Sequence, residues 1–203
     1  MTKTRLLEGW SLLGLVSLLL LAISGLCLAS FAYEVAGVRM VIRITARTSL
    51  LLFAVAFGAQ AMLTLWPSAL TRWQRRNRRQ LGLAFAVSHM IHAAAILAFA
   101  RMDPQGFHEH AMPGTLVSGG IAYAFIVAMA ATSFDRTAAW VGPAAWRMLH
   151  WLGGYYLWMS FIVTNGKRIG QSPLYALPVV LMLVLLGLRI AARRRTRLRS
   201  TPA

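Results

Sequence analysis

Three histidines, His89, His92 and His150, carry the chemical possibilities of this sequence. Each stands in a stretch without a charged residue, 81–100 for the first two and 148–165 for the third. Ionisable side chains in apolar surroundings of this length are costly, so each is a candidate functional group. Neutral imidazole is the commonest metal ligand, and haem iron takes axial ligands of this kind. Gly82, Phe85, His89, His92, Ile96 and Phe99 recur at alternating spacings of three and four, which places both histidines on one helical face. The face of His150 includes Trp146, Gly153, Gly154, Leu157 and Phe161, and its two glycines leave room for a flat macrocycle. One inward-facing histidine from each helix would clamp a b-type haem, with His150 on one side and His89 or His92 on the other.

Zinc fits less well, because a structural site wants four ligands and typically thiolates, whereas the single cysteine, Cys27, is remote in sequence. The bland alternative is an interhelical hydrogen bond, worth about 1 kcal/mol; three histidines on two helices, with glycines beside one, favour ligation. At the α-helical rise, His89 lies about 12 Å in from Leu81, His92 about 16 Å, and His150 about 9 Å in from a start near Ala144. Depth therefore favours His89, leaving His92 to hydrogen-bond the macrocycle or a substrate. Haem propionates need cations, and Arg47, Arg79 and Arg147 at predicted helix ends are candidates, although solvated anchoring is the commoner fate of such residues.

The elements that must position these groups are membrane helices. Of 203 residues, 58% are hydrophobic and 13% charged, against about a quarter charged in soluble domains; the mean hydropathy is +0.61. Uncharged stretches cover 10–32, 48–70, 81–100, 111–134, 148–165 and 169–188, each of about the 18 or more residues that a helix needs to cross hydrocarbon. The expected fold is all-α, a single domain over 1–203 built as a six-transmembrane-helix bundle. A barrel is excluded by the length of the apolar runs. Pro67, Asp103-Pro104, Gly142-Pro143 and Asn165-Gly166 mark helix ends, and Pro178 is expected to kink the sixth span. The first span exceeds the 7–15 residues of a signal-peptide core and is read as retained.

No connection has room for a flavin- or nucleotide-binding domain of roughly 100 residues, so any redox partner must be a separate molecule. The net charge of +16 comes from short clusters beside the spans, which suits anionic lipid rather than nucleic acid. Lys3, Arg5, the Arg72–Arg79 cluster, Arg136, Arg147 and the tail from Arg189 to Arg199 fall on one side of a six-span topology. Only Arg39, Arg43, Arg47, Arg101, Lys167 and Arg168 fall on the other. The positive-inside rule then places both termini in the cytoplasm of a bacterial inner membrane. The third and fifth spans run parallel, and the outer segment 102–110 carries His108, Glu109 and His110.

The run Arg78-Arg79-Gln80-Leu81-Gly82-Leu83-Ala84-Phe85, followed by histidine, and the run Arg147-Met148-Leu149-His150-Trp151-Leu152 resemble the third and fifth helices of the ferric reductase-like transmembrane domain superfamily. That superfamily includes NADPH oxidases, iron reductases and MsrQ/YedZ-like haem-binding membrane subunits. The resemblance implies haem held by His150 with His89 or His92 opposite, and its Leu-Gly spacing points to His92. Members usually carry a second histidine about four turns after the first on the fifth helix. Here that region reads Phe161-Ile162-Val163-Thr164, so one haem is expected.

The expected function is a b-type cytochrome subunit, an electron-transfer component of an oxidoreductase system. It would relay electrons from a quinol or an external flavoprotein to a periplasmic acceptor protein or metal. Trp151, Tyr155, Tyr156 and Trp158 could line an electron path or a quinone pocket, although packing is the commoner use of such residues. Two rivals stand beside it: a self-contained metal reductase with its acceptor near His108, Glu109 and His110, and a haem-free scaffold or transporter subunit. Mid-membrane acidic residues and inverted repeats, common in transporters, are absent from the sequence.

Overall fold

The computed structural model describes residues 5–111 and 113–200; Lys3 lies outside them, as do the side chains of Arg5, His110, Arg199 and Ser200. Among the described residues there are nine α-helices and no strand. They are α1 (Gly9–Ser30), α2 (Val35–Leu65), α3 (Ala69–Arg76), α4 (Arg78–Met102), α5 (Pro104–His110), α6 (Pro113–Ala131), α7 (Asp135–Val141), α8 (Pro143–Gly166) and α9 (Ala176–Ser200). Five stretches are long and apolar enough to cross a membrane: α1, α2, α4, α6 and the stretch Pro173–Leu198 that contains most of α9. The expected fifth span, α8, has the length, at 24 residues, but its tryptophans, tyrosines, glycines and His150 dilute its hydropathy.

Helix ends differ from the charge-free runs for local reasons. α2 begins at Val35, well before the expected 48, because Arg39, Arg43 and Arg47 are accommodated within the helix. It stops at Leu65, ahead of Trp66-Pro67. Ser68 then starts α3 with a capping box, its Oγ accepting from Thr71 N at 3.2 Å while Thr71 Oγ1 accepts from Ser68 N at 2.9 Å. The polar outer segment 102–110 is largely the short helix α5, opened by Asp103, whose Oδ1 accepts from Gly106 N at 2.9 Å. Gly142, at φ +83°, turns the chain into Pro143 at the first position of α8. Pro178 is the third residue of α9, where no intrahelical donor is required, so it caps a start rather than kinking a span.

α2, α4, α6, α8 and α9 pack neighbour to neighbour into a closed ring, and α1 lies outside in the groove of α2 and α4. The ring encloses an aromatic and aliphatic core of Leu50, Phe53, Phe57, Phe85, Ile126, Leu157, Trp158, Met182 and Leu185. Glycine permits two of the closest approaches. A Cβ at Gly58 on α2 would stand 2.9 Å from Leu185 on α9, and one at Gly153 on α8 would stand 2.8 Å from Met129 Sδ on α6. Between α2 and α4 the seam is polar. Ser88 accepts from Ser49 at 2.8 Å, meets Thr48 Oγ1 at 3.0 Å and lies 3.3 Å from Thr45 O.

Candidate functional site: an arginine-lined slot in the helix ring

At the end of the ring where α4 and α8 begin, a cavity of about 400 Å³ opens between them, within the ~300–1,000 Å³ range of ligand pockets. From α4 and the end of α3 come Arg75, Arg76, Arg78, Arg79, Gly82 and Phe85; from α8 come Trp146, His150, Trp151, Gly154 and Tyr155. Phe53 and Phe57 of α2, Thr132 at the end of α6, Asp135 of α7 and Arg189 of α9 also line it. A Cβ at Gly82 would meet nothing within 4 Å, and one at Gly154 only Phe57 Cε2 at 3.9 Å. The two glycines thus keep opposite walls flat.

His150 is the histidine of this cavity. Its Nε2 lies 3.3 Å from Thr132 Oγ1, and its ring packs 4.3 Å from that of Trp146, whose Nε1 donates to Thr132 O at 2.9 Å. The cations outnumber the one carboxylate among the lining residues. Asp135 pairs with Arg79 at 3.0 Å, and Arg76 reaches Glu8 at the same distance. Arg189 donates to Phe57 O at 2.7 Å and lies 4.1 Å from the Phe57 ring centroid. The Nε donors of Arg79 and Arg189 are buried without a hydrogen-bond partner, which is costly unless an acceptor occupies the space before them.

His89 and His92 lie beyond this cavity. Phe85 packs 4.7 Å from His89 and, with Phe53 and Phe161, forms a layer of rings 5.3–6.4 Å apart. His89 faces Phe161 of α8 and Tyr123 of α6, and its Nδ1 is buried without a partner. His92 turns toward α2, with Nδ1 2.9 Å from Thr45 Oγ1. Phe161 is eleven residues, about 16 Å of helix, beyond His150. The clamp expected from sequence, His150 opposite His89 or His92, is therefore not assembled: His89 and His92 lie with ring centroids 5.7 Å apart, and Phe85 and Phe161 stand between that pair and His150.

The other expected residues divide. Arg79 lines the cavity; Arg47 is exposed deep within α2 and Arg147 is exposed on α8, neither in the lining. Of the two glycines after His150, Gly154 faces the slot while Gly153 packs on α6. Trp151 and Tyr155 line the cavity, whereas Tyr156 donates to Ser118 O and Trp158 to Met182 O, both at 2.9 Å. His108 and Glu109 are exposed on α5. Arg75, Arg76, Arg78 and Arg189 escaped the sequence-based selection. Their clusters look like topology anchors, and only ring closure brings Arg189 to α4.

Haem, which the sequence resemblance implies, needs a flat slot, an axial nitrogen and cations for its propionates. The lining carries glycines on facing walls, His150 as its one imidazole and five arginines, residues of the kinds such a group would use. Among the described residues no group of three or more His, Cys, Asp or Glu could hold a bare metal ion. No family model, curated protein or solved structure matches this chain.

Proposed function

We propose that this chain is a membrane subunit of b-type cytochrome character, related to the ferric reductase-like transmembrane domain superfamily, with haem seated in the arginine-lined slot on His150. The observation that carries the proposal is that slot. Glycines flatten its facing walls, one imidazole enters it, and two arginine Nε donors on its lining residues lack acceptors. Haem when bound supplies one-electron chemistry. Trp146 and Thr132 orient His150, the arginines hold carboxylates by charge-assisted hydrogen bonds, and the Phe53–Phe85–Phe161 layer keeps water from the rest of the ring. Positive charge around the slot favours the more reduced state of whatever it holds.

In this proposal α8 crosses the bilayer as a sixth span, its aromatic content tolerated because it faces the slot and its neighbours. Both termini then lie in the cytoplasm of a bacterial inner membrane. A quinol or flavoprotein donor would approach the arginine-rich end, and a periplasmic acceptor the end bearing α5. A haem-free scaffold is the second reading, favoured by the hydroxyl partners that His92 and His150 already have in Thr45 and Thr132. Reduced-minus-oxidised absorption of the protein purified from haem-replete cells separates the two. We expect a b-type spectrum lost in His150→Ala and kept in His92→Ala, with unchanged elution on gel filtration. A colourless wild type, or a folded His150→Ala variant that keeps the spectrum, overturns the proposal.

A further inference from the structure

Arg39, Arg43 and Arg47 follow one another at four-residue spacing on α2 and so share one side of the helix. Arg43 and Arg47 are exposed, and their strip continues through Leu51 and Val55, 57% and 36% exposed. Among the described residues neither arginine makes a hydrogen bond or ion pair. The two ion pairs present join Arg76 to Glu8 and Arg79 to Asp135, at the other end of the ring. Glu34, the nearest carboxylate in sequence, is not paired with them. Arg39 rests 5.5 Å from the Phe99 ring centroid. A cavity of about 340 Å³ opens beside the strip, lined by Phe31, Val35, Ala36, Arg39, Met40 and Arg43.

Depth makes these cations unusual. Gly37 abuts α1 so closely that a Cβ there would lie 3.2 Å from Cys27 O and 3.3 Å from Leu28 Cα. Continuing that antiparallel register places Arg43 level with Leu21 and Ala22, and Arg47 level with Ser17 and Leu18, inside the uncharged run of α1. α1 is 22 residues long, about 33 Å, against the ~30 Å of bilayer hydrocarbon. Exposed guanidinium groups at such depth are costly even after snorkelling, and an anionic partner drawn toward them offsets that cost.

We propose that this strip binds an anionic phospholipid, its phosphate drawn in to Arg39 and Arg43 with Arg47 snorkelling up toward it, and one acyl chain running past Leu51 toward Val55. The order of chemistry along the helix, cation and then hydrocarbon, is the order within the lipid. A soluble anion would match the arginines but gain nothing from the two apolar residues beneath them. This site is separate from the slot and stands whether or not haem binds there.

Native mass spectrometry of the full chain, with phosphatidylglycerol and phosphatidylcholine added in equal amounts, tests the proposal. Wild type is expected to retain phosphatidylglycerol with about tenfold preference, undiminished by excess inorganic phosphate. Arg43→Gln/Arg47→Gln should lose the preference, Arg43→Lys/Arg47→Lys should keep most of it, and Arg136→Gln should leave it intact. Equal retention of the two lipids by wild type overturns the proposal, as does a preference that survives in the folded glutamine variant. Displacement by phosphate would identify a free-anion site and also overturn it. Should the glutamine variant fail to fold, the wild-type comparison still decides.

Discussion

At the scale of single residues, the slot depends on what is missing as much as on what is present. Gly154 faces open space bounded by Phe57, so Gly154→Leu fills the slot without striking packed backbone. We expect at least a tenfold fall in haem content, measured by pyridine haemochrome, with elution on gel filtration unchanged. Equal haem content would show that the ligand sits elsewhere. The three histidines were legible in sequence because ionisable side chains are conspicuous among apolar ones. Their mutual distances were not, since helix starts read from charge are uncertain by several residues and the vertical offset of α8 against α4 is set by packing. The Phe161 ring, eleven residues past His150, occupies the level that His89 faces. Arginine roles were hardest to read: Arg79 lines the slot and Arg147 does not, although both flank predicted spans.

At the scale of elements, the seam between α2 and α4 is held by hydroxyls rather than by hydrocarbon alone. Thr45, Ser49 and Ser88 are fully buried, and Ser88 joins the network from the α4 side. Ser88→Ala removes those interhelical bonds and leaves Ser49 and Thr48 without their partner across the seam. The expected loss is about 1 kcal/mol, modest because such groups also find partners in the unfolded, membrane-inserted chain. Reversible unfolding in mixed micelles would measure it, and a loss below the error of the method would show that the hydroxyls are passengers. The existence of the main helices could be read from charge-free runs. The early start of α2 could not, because three arginines looked like a boundary when their long side chains permit the helix to continue. Nor could the capped helix α5 within a polar stretch.

At the scale of the whole molecule, the six crossings expected from the sequence turn on α8, which is long but only moderately apolar. If α8 crosses, reporters fused before Glu8 and after Ser200 face the same compartment, and a cysteine introduced at His108 is labelled from the opposite one. Reporters on opposite sides would mean that α8 lies in the interface, and the proposed topology would fall. The closed ring has a further consequence for biosynthesis. α9 emerges well after α2, yet the two are neighbours, and Arg189 of α9 reaches back to the carbonyl of Phe57. The wall of the slot is therefore finished only when α9 has left the ribosome, so a chain cut short before α9 presents an open crescent. Whatever the slot holds can be enclosed only after α9 has joined the ring.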